Sequence, residues 1–509
     1  MKSLNKKNQG VSLVAAVAIM VLVAVLSAVL ASLLGTSSRS SADFLRSARA
    51  RGLAQAGLNW YMMQLAATID WDTASDQAGV SLNPGTFDVT LSNKASPQTD
   101  STTATRMDIA VTGKVAGSEG ATIQRTMSQR VFKLPSATKF ALFWGNNLGA
   151  NLTFTNVSIN GDFWSIGTTS IPASSSVTNG IAYRPTTEDI IGAGSYTTQS
   201  ITFPYFFNFS GSTATFSTPP INTTFYTNLI SDYDTKEAAC TTLTDIFQTT
   251  DLVLTGNTVC CQDFDTNGNI TISGNGYIVA NRDILLHTQL ADAGTLTISP
   301  SGSKIVFIAG RDITVNSTGK DTSVTMNPGV RLYSKSDGIA TGFVTIRNDT
   351  TNIDGALILA ARRILINNSA NIINSTLFVN DAGAATSNNL TVTDLGTSVG
   401  TLSGPCSLIS LGHGSPSLQI TSRASVTGLI YQRDGDATEA KEHAYGRINI
   451  TSSSAVNRVN ITGCIIANRF GGNNIDNANI TYDPLAIPDP PPEGFDGFAT
   501  KKPDSWNGN

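Results

Sequence analysis

Four segments, far apart in the chain, repeat one short pattern, and their spacing limits the fold more than any other feature. Residues 277–285 read YIVANRDIL, 307–315 FIAGRDITV, 358–366 ILAARRILI and 465–470 IIANRF. The alanines opening the Ala-x-Arg core are Ala280, Ala309, Ala360 and Ala467, with gaps of 29, 51 and 107. These gaps are close to one, two and four turns of a unit of roughly 25–29 residues, a period typical of stacked repeats. The surrounding segments, such as 151–160 (NLTFTNVSIN), 269–273 (NITIS), 295–299 (TLTIS) and 447–451 (RINIT), are short, β-branched and punctuated by Asn or Gly. The pattern therefore predicts a parallel β-solenoid over residues 136–483. Equivalent residues stack at a strand spacing of about 4.8 Å. Inward Ile, Val, Leu and Ala make a continuous core, and Asn at the bends hydrogen-bonds along the stack. A sandwich of many hairpins is the competing reading.

Composition agrees with a β-rich scaffold. Charged residues are 14% of the 509, against about 25% in an average soluble protein; Asn, Ser, Thr and 44 Gly take their place. That mixture suits short strands and tight turns rather than long surface helices. A formal charge of −4 gives no basic footprint, so nucleic acid is not an expected partner. Three histidines, His287, His413 and His443, leave little material for a zinc or histidine-based site.

The N-terminus is a different object. Residues 11–34 carry no charge and span about 36 Å as a helix, enough to cross a bilayer. Ahead of them lie Lys2, Lys6 and Lys7 with no acid, and Gly10 stands at the junction. The run is longer than a signal-peptide core and no small-residue cleavage site follows it. Helical periodicity continues past a joint at residues 35–41, with Leu58, Tyr61, Met62 and Leu65 on one face. Lys6-Lys7-Asn8-Gln9-Gly10, then Val11-Ser12-Leu13-Val14-Ala15, and later Ala54-Gln55-Ala56-Gly57-Leu58 resemble the type IV pilin family, in particular PilX-like minor pilins and GspK-like tip pseudopilins. The resemblance covers about the first 70 residues. It implies removal of residues 1–10 by a prepilin peptidase and N-methylation of Val11. It also implies that the helix 11–70 sits first in the inner membrane and then in a filament core among other pilins. Major pilins carry Glu at the fifth mature position; here it is Ala15, as in members that prime or cap filaments.

Between the two regions, residues 71–84 read as a polar connection. Three alternating runs follow at 86–91 (TFDVTL), 107–116 (MDIAVTGKVA) and 122–132 (TIQRTMSQRVF), each patterned as a half-buried antiparallel strand. They predict a small sheet over 71–135 packed on the helix. The fold class expected is thus mainly β: a long helix with a small antiparallel sheet, then a solenoid. Residues 203–250 interrupt the repeat with aromatics and a short helical stretch, and read as an insertion or cap between coils. The end of the chain, 484–509, opens with five prolines in nine residues and reads as a rigid, non-sheet tail. Together the stacked coils and the Tyr482-Asp483-Pro484 ending resemble large minor-pilin-like proteins that carry a β-helix behind a PilX-like helix.

Candidate chemistry is sparse. Asp263, Asp265, Asn267 and Asn269, with Gly268, match the first half of a Ca²⁺ loop. The twelfth position is Gly274 rather than Glu, so an EF-hand is excluded. A Ca²⁺ site completed by a remote carboxylate and a plain Asp/Asn turn both fit. Asp283 and Asp312 hold the same place in the repeat, one coil apart, as paired acids of a glycosidase or lyase would; Arg282 and Arg311 recur beside them, as in a salt-bridge ladder. Five cysteines, Cys240, Cys260, Cys261, Cys406 and Cys464, fall outside the membrane on this topology, where disulfides persist. Cys240 with Cys260 or Cys261 would fasten the insertion to the solenoid; Cys406 and Cys464, two coils apart, are too distant to bridge if strictly stacked. Gly412-His413-Gly414-Ser415 reads as a glycine turn rather than a nucleophile elbow. The expected function is that of a minor pilin or pseudopilin, not an enzyme, displaying its solenoid at the cell surface. Its contact would be a surface glycan, a host surface or a partner subunit. The alternative is a membrane-anchored β-solenoid polysaccharide lyase or glycosidase.

Overall fold

The computed structural model describes residues 7–67, 71–97, 104–117, 120–134, 136–145, 151–185, 189–201, 221–241, 244–287, 294–316, 322–337, 341–380, 389–394, 396–412, 416–433, 447–495, 499–501 and 507–508. Helix α1 (Lys7–Ala67) is continuous for 61 residues, about 90 Å at 1.5 Å per residue. Its two halves differ in what they touch. From Leu13 to Leu34 every large apolar side chain is exposed, whereas Ala50, Leu53, Ala54, Leu58, Tyr61 and Leu65 are buried. Met62, expected on the buried face, is only partly covered.

That face packs on an antiparallel sheet of β1 (Gln77–Leu82), β2 (Gly85–Ala95), β3 (Arg106–Ala116) and β4 (Thr122–Lys133), in that order. Phe87, Val89, Met107, Ile109, Val111 and Met127 supply the facing core. Helix and sheet approach closely because β3 carries Gly113: a Cβ there would stand 2.1 Å from the Ala50 carbonyl oxygen. Strand β1 falls where sequence indicated a connection. It is a bulged edge strand with no buried residue, so the alternation that betrays a half-buried strand is absent. The tail is also different from expectation. Ala499–Lys501 and Asn507–Gly508 pair antiparallel with β4 and cover its edge. Prolines exclude a ladder as far as Pro492 and again at Pro503; the paired segments on either side of Pro503 keep their N–H donors.

The remainder is a parallel β-solenoid, with 31 strands among the described residues; the parallel pairing excludes the hairpin sandwich. Ala280 pairs with Ala309, which pairs with Ser334 and through it with Ala360. Ala360 leads through Val379, Ser410 and Gln432 to Ala467. The four repeat alanines thus share one column at separations of one, two and four coils. The period is not fixed, however: Ala360 and Val379 are 19 residues apart, Gln432 and Ala467 are 35 apart. Strand pairing fixes the three-sided cross-section, while the corners accept loops of any length. Ile, Val, Leu and Phe from all three sides form one inner core along the stack.

The order of coils is permuted relative to the chain. Leu142, Phe143 and Trp144 pair with Ile465, Ile466 and Ala467, and the strand Leu152–Asn160 pairs with residues 474–481. Coils built from 142–201 therefore extend the stack beyond its last coil rather than preceding its first. The chain must then return to the other end, where Ile246–Gln248 and Leu252–Cys261 form the opposite terminal coil. Helix α2 (Thr224–Ala239) lies on that return path. It is a strap along the outside of the stack, not a cap between neighbouring coils; the aromatics Phe203, Tyr205, Phe206 and Phe207 lie outside the described residues.

Candidate functional site

Three groups of residues carry possible function. The first is the bare half of α1. Gly10 and Val11 lie within the helix, and residues 1–6 of the basic leader lie outside the described residues. Leu13, Met20 and Leu34 are each at least 64% exposed, and the helix is long and apolar enough to cross a membrane. An apolar cylinder of this size needs lipid or other helices around it. Ala15 lies on it and offers no charge to a neighbouring chain.

The second group is the acidic corner. Asp263, Asp283 and Asp312 stack on successive coils. Asp263 Oδ1 accepts the Asp283 N–H at 3.1 Å, and Asp283 Oδ1 accepts the Asp312 N–H at 3.2 Å. Asp312 Oδ1 accepts from Gly342 and Phe343, both at 2.9 Å. Arg282 bonds Asp263 at 2.6 Å, and Arg311 stands 3.9 Å from Asp283 and 3.7 Å from Asp337. Each aspartate thus has one oxygen committed to the backbone of the following coil. Burial, and then the negative charge of Asp283, raise the Asp312 pKa despite its two N–H donors. The Ca²⁺-loop residues divide their work. Asp263 serves this ladder, Asp265 sits mid-strand in Phe264–Thr266, and Asn269 Oδ1 accepts the Thr295 N–H at 3.0 Å. Among the described residues no group of three His, Cys, Asp or Glu side chains is placed to hold a metal ion.

The third group is the cysteines and the strap. Cys240, which ends α2, is bonded to Cys260 with a Cα separation of 5.4 Å. Cys261, Cys406 and Cys464 are buried free thiols. Burial pushes Cys261 and Cys406 up to about 12 and Cys464 higher, so all three stay protonated and unreactive. Above the disulfide α2 is held by a seam of aromatics that sequence reading passed over. Tyr226 stacks on Phe378 at 4.0 Å, Tyr233 meets Tyr333 at 5.6 Å, and Lys335 bonds Glu237 at 3.0 Å. The C-terminal segment continues the seam: Phe495 packs edge-on against Tyr431 at 5.3 Å, and the Tyr226 hydroxyl donates to the Glu493 carbonyl. A signal for this cover exists in the strands beneath. Val330–Ser334, Leu357–Ala360 and Cys406–Ser410 are buried at every position, so both faces of each are covered; of the three, only Leu357–Ala360 shows this in sequence as an unbroken apolar run. Of the esterase-like turn, His413, Gly414 and Ser415 lie outside the described residues, as does His443.

No known protein family matches the sequence, and no curated protein matches it. Among solved structures, the competence-associated pilin ComZ from Thermus thermophilus aligns over 91% of this chain and 97% of its own at 12% identity, with a TM-score of 0.22. That score lies below the level at which a common fold follows.

Proposed function

We propose that the chain is a membrane-inserted, pilin-like subunit that carries a β-solenoid to the cell surface. The observation behind this reading is the division of α1: one continuous helix whose first half is bare and apolar and whose second half is the spine of a small α+β unit. Such a helix can move from lipid into a bundle of like helices without refolding its soluble part. On this reading a prepilin peptidase cuts after Gly10, Val11 becomes the methylated N-terminus, and the helix lies in the inner membrane before assembly with other pilins. Ala15 in place of an acid favours a priming or tip position, since a buried carboxylate is not needed to pair with the next subunit's amine. The solenoid then meets a surface glycan, a host surface or a partner subunit, and no catalytic step is assigned to it. Mass spectrometry of the mature N-terminus tests the proposal. An N-methylated Val11 is expected; an intact residue 1–10 leader on the exported chain would sink it.

A further inference from the structure

One patch of the solenoid is built at a cost that the fold itself does not explain. On the side of the stack formed by Phe343–Ile346 and Arg363–Ile366, Val344, Ile346, Ile364 and Ile366 point into the core. Phe343, Arg347, Arg363, Leu365 and Asn367 alternate with them and are all part-exposed, on the outer face. The Arg363 guanidinium lies over the Phe343 ring at 6.0 Å. Neither Arg347 nor Arg363 meets a carboxylate among the described residues. The Nε of each and the Oδ1 of Asn367 are shut off from solvent without a hydrogen-bond partner there. Burial, and then the charge of Arg347, make Arg363 hold its proton less tightly than usual. Two like charges half-buried side by side, with three buried polar atoms left without a partner among the described residues, destabilise the free protein. On an earlier coil Arg282 does have a carboxylate, that of Asp263 at 2.6 Å.

We propose that Arg347, Arg363 and Asn367 form a binding site for an acidic polysaccharide, with a uronate carboxylate on the two guanidinium groups. A guanidinium fork matches a carboxylate bidentately, and Asn367, part-exposed beside them, offers its amide N–H to a sugar hydroxyl. Phe343 and Leu365 supply the apolar platform against which the C–H face of a sugar ring packs. Outward side chains recur at the coil spacing of about 4.8 Å, so an extended polymer crosses successive coils in register; Asn389 pairs with Arg363 on the next one. The inference deepens the display reading and rests on it for presentation of this face, but binding itself does not depend on export.

The test is calorimetric titration of the full chain in detergent micelles with an oligogalacturonate, its methyl-esterified form and inorganic phosphate. The oligogalacturonate should bind, the neutral ester should bind at least about tenfold more weakly, and phosphate should not saturate at the same concentration. Arg363→Gln and Arg347→Gln should each weaken binding at least about tenfold, with thermal midpoints unchanged or raised, because an unpaired charge is removed. If Arg363→Gln fails to fold, Arg347→Gln carries the comparison. Equal binding of the ester, saturation by phosphate alone, no binding of the oligogalacturonate, or variants that bind as the wild type would each overturn the inference. A processed Val11 without uronide binding removes this inference alone; uronide binding by a chain with an intact leader removes the display reading alone.

Discussion

At the scale of single residues, the solenoid is held by polar side chains that reach from one coil to the next. Asn316 is the fullest case. It sits at a corner with φ 58°, is wholly buried, and exchanges bonds with Thr322 and Thr351 at 2.7–3.2 Å. Asn tolerates that left-handed conformation because its short amide bonds locally, which explains why a chain with so many corners is rich in Asn. Asp312 does similar work with a charge that its surroundings disfavour. Because its folded pKa lies above the ordinary 3.8, the folded state binds protons more readily than the unfolded one. Stability from this group is therefore greatest below pH 3.8 and falls as pH rises through the folded value. Asp312→Asn keeps the Oδ1 acceptor for Gly342 and Phe343 and removes the charge. Its thermal midpoint at pH 7 should equal the wild type's or exceed it by about a degree, and the difference should vanish at pH 3. A loss of several degrees at pH 7 would show that Arg311 needs the carboxylate. The sequence repeat located this ladder, but could not say whether the acids face solvent as a catalytic pair or each other's backbone, since both need identical spacing.

Elements were legible in proportion to how far their burial is one-sided. Strands β2, β3 and β4 alternate and were readable, as was the helix face that they cover; β1, with nothing buried, was not. Helix α2 could be seen as helix, but its place could not. Its partners Tyr333 and Phe378 lie roughly 100 and 150 positions on, and no local pattern links residues so distant. The Cys240–Cys260 bond closes a loop of 20 residues and fixes the C-terminal end of the strap. Loop-closure entropy puts its worth at about 3 kcal/mol. Cys240→Ser should therefore leave the inner core folded while exposing the strap, so that limited proteolysis cuts the 221–245 segment faster. Reduced wild-type protein should be cut like the variant. If cutting is unchanged in both, the aromatic seam alone holds α2.

On the scale of the whole molecule, the permuted stack changes what kind of object the solenoid is. In an ordinary repeat array each coil needs only its neighbours in sequence, and shortening the chain removes coils from one end. Here the coils of residues 142–201 rest on strands of residues 459–481, more than 300 positions later. They cannot complete their stack until those strands are in place. The tail fastens the same arrangement from outside: Asp489 bonds Arg106 at 2.9 Å and Arg130 at 3.4 Å, and the Thr105 hydroxyl donates to Pro491 at 2.8 Å, tying the small sheet to the stack. A chain ended at residue 433 should keep slow hydrogen exchange in the inner coils of residues 270–380 and lose it in residues 152–178, although the latter are untouched in sequence. A chain ended at residue 483 keeps the supporting strands and lacks only the tail, so 152–178 should stay protected. Protection of 152–178 in the shorter chain would mean that these coils stand alone and that the contact with the last coil is only a docking of two finished units.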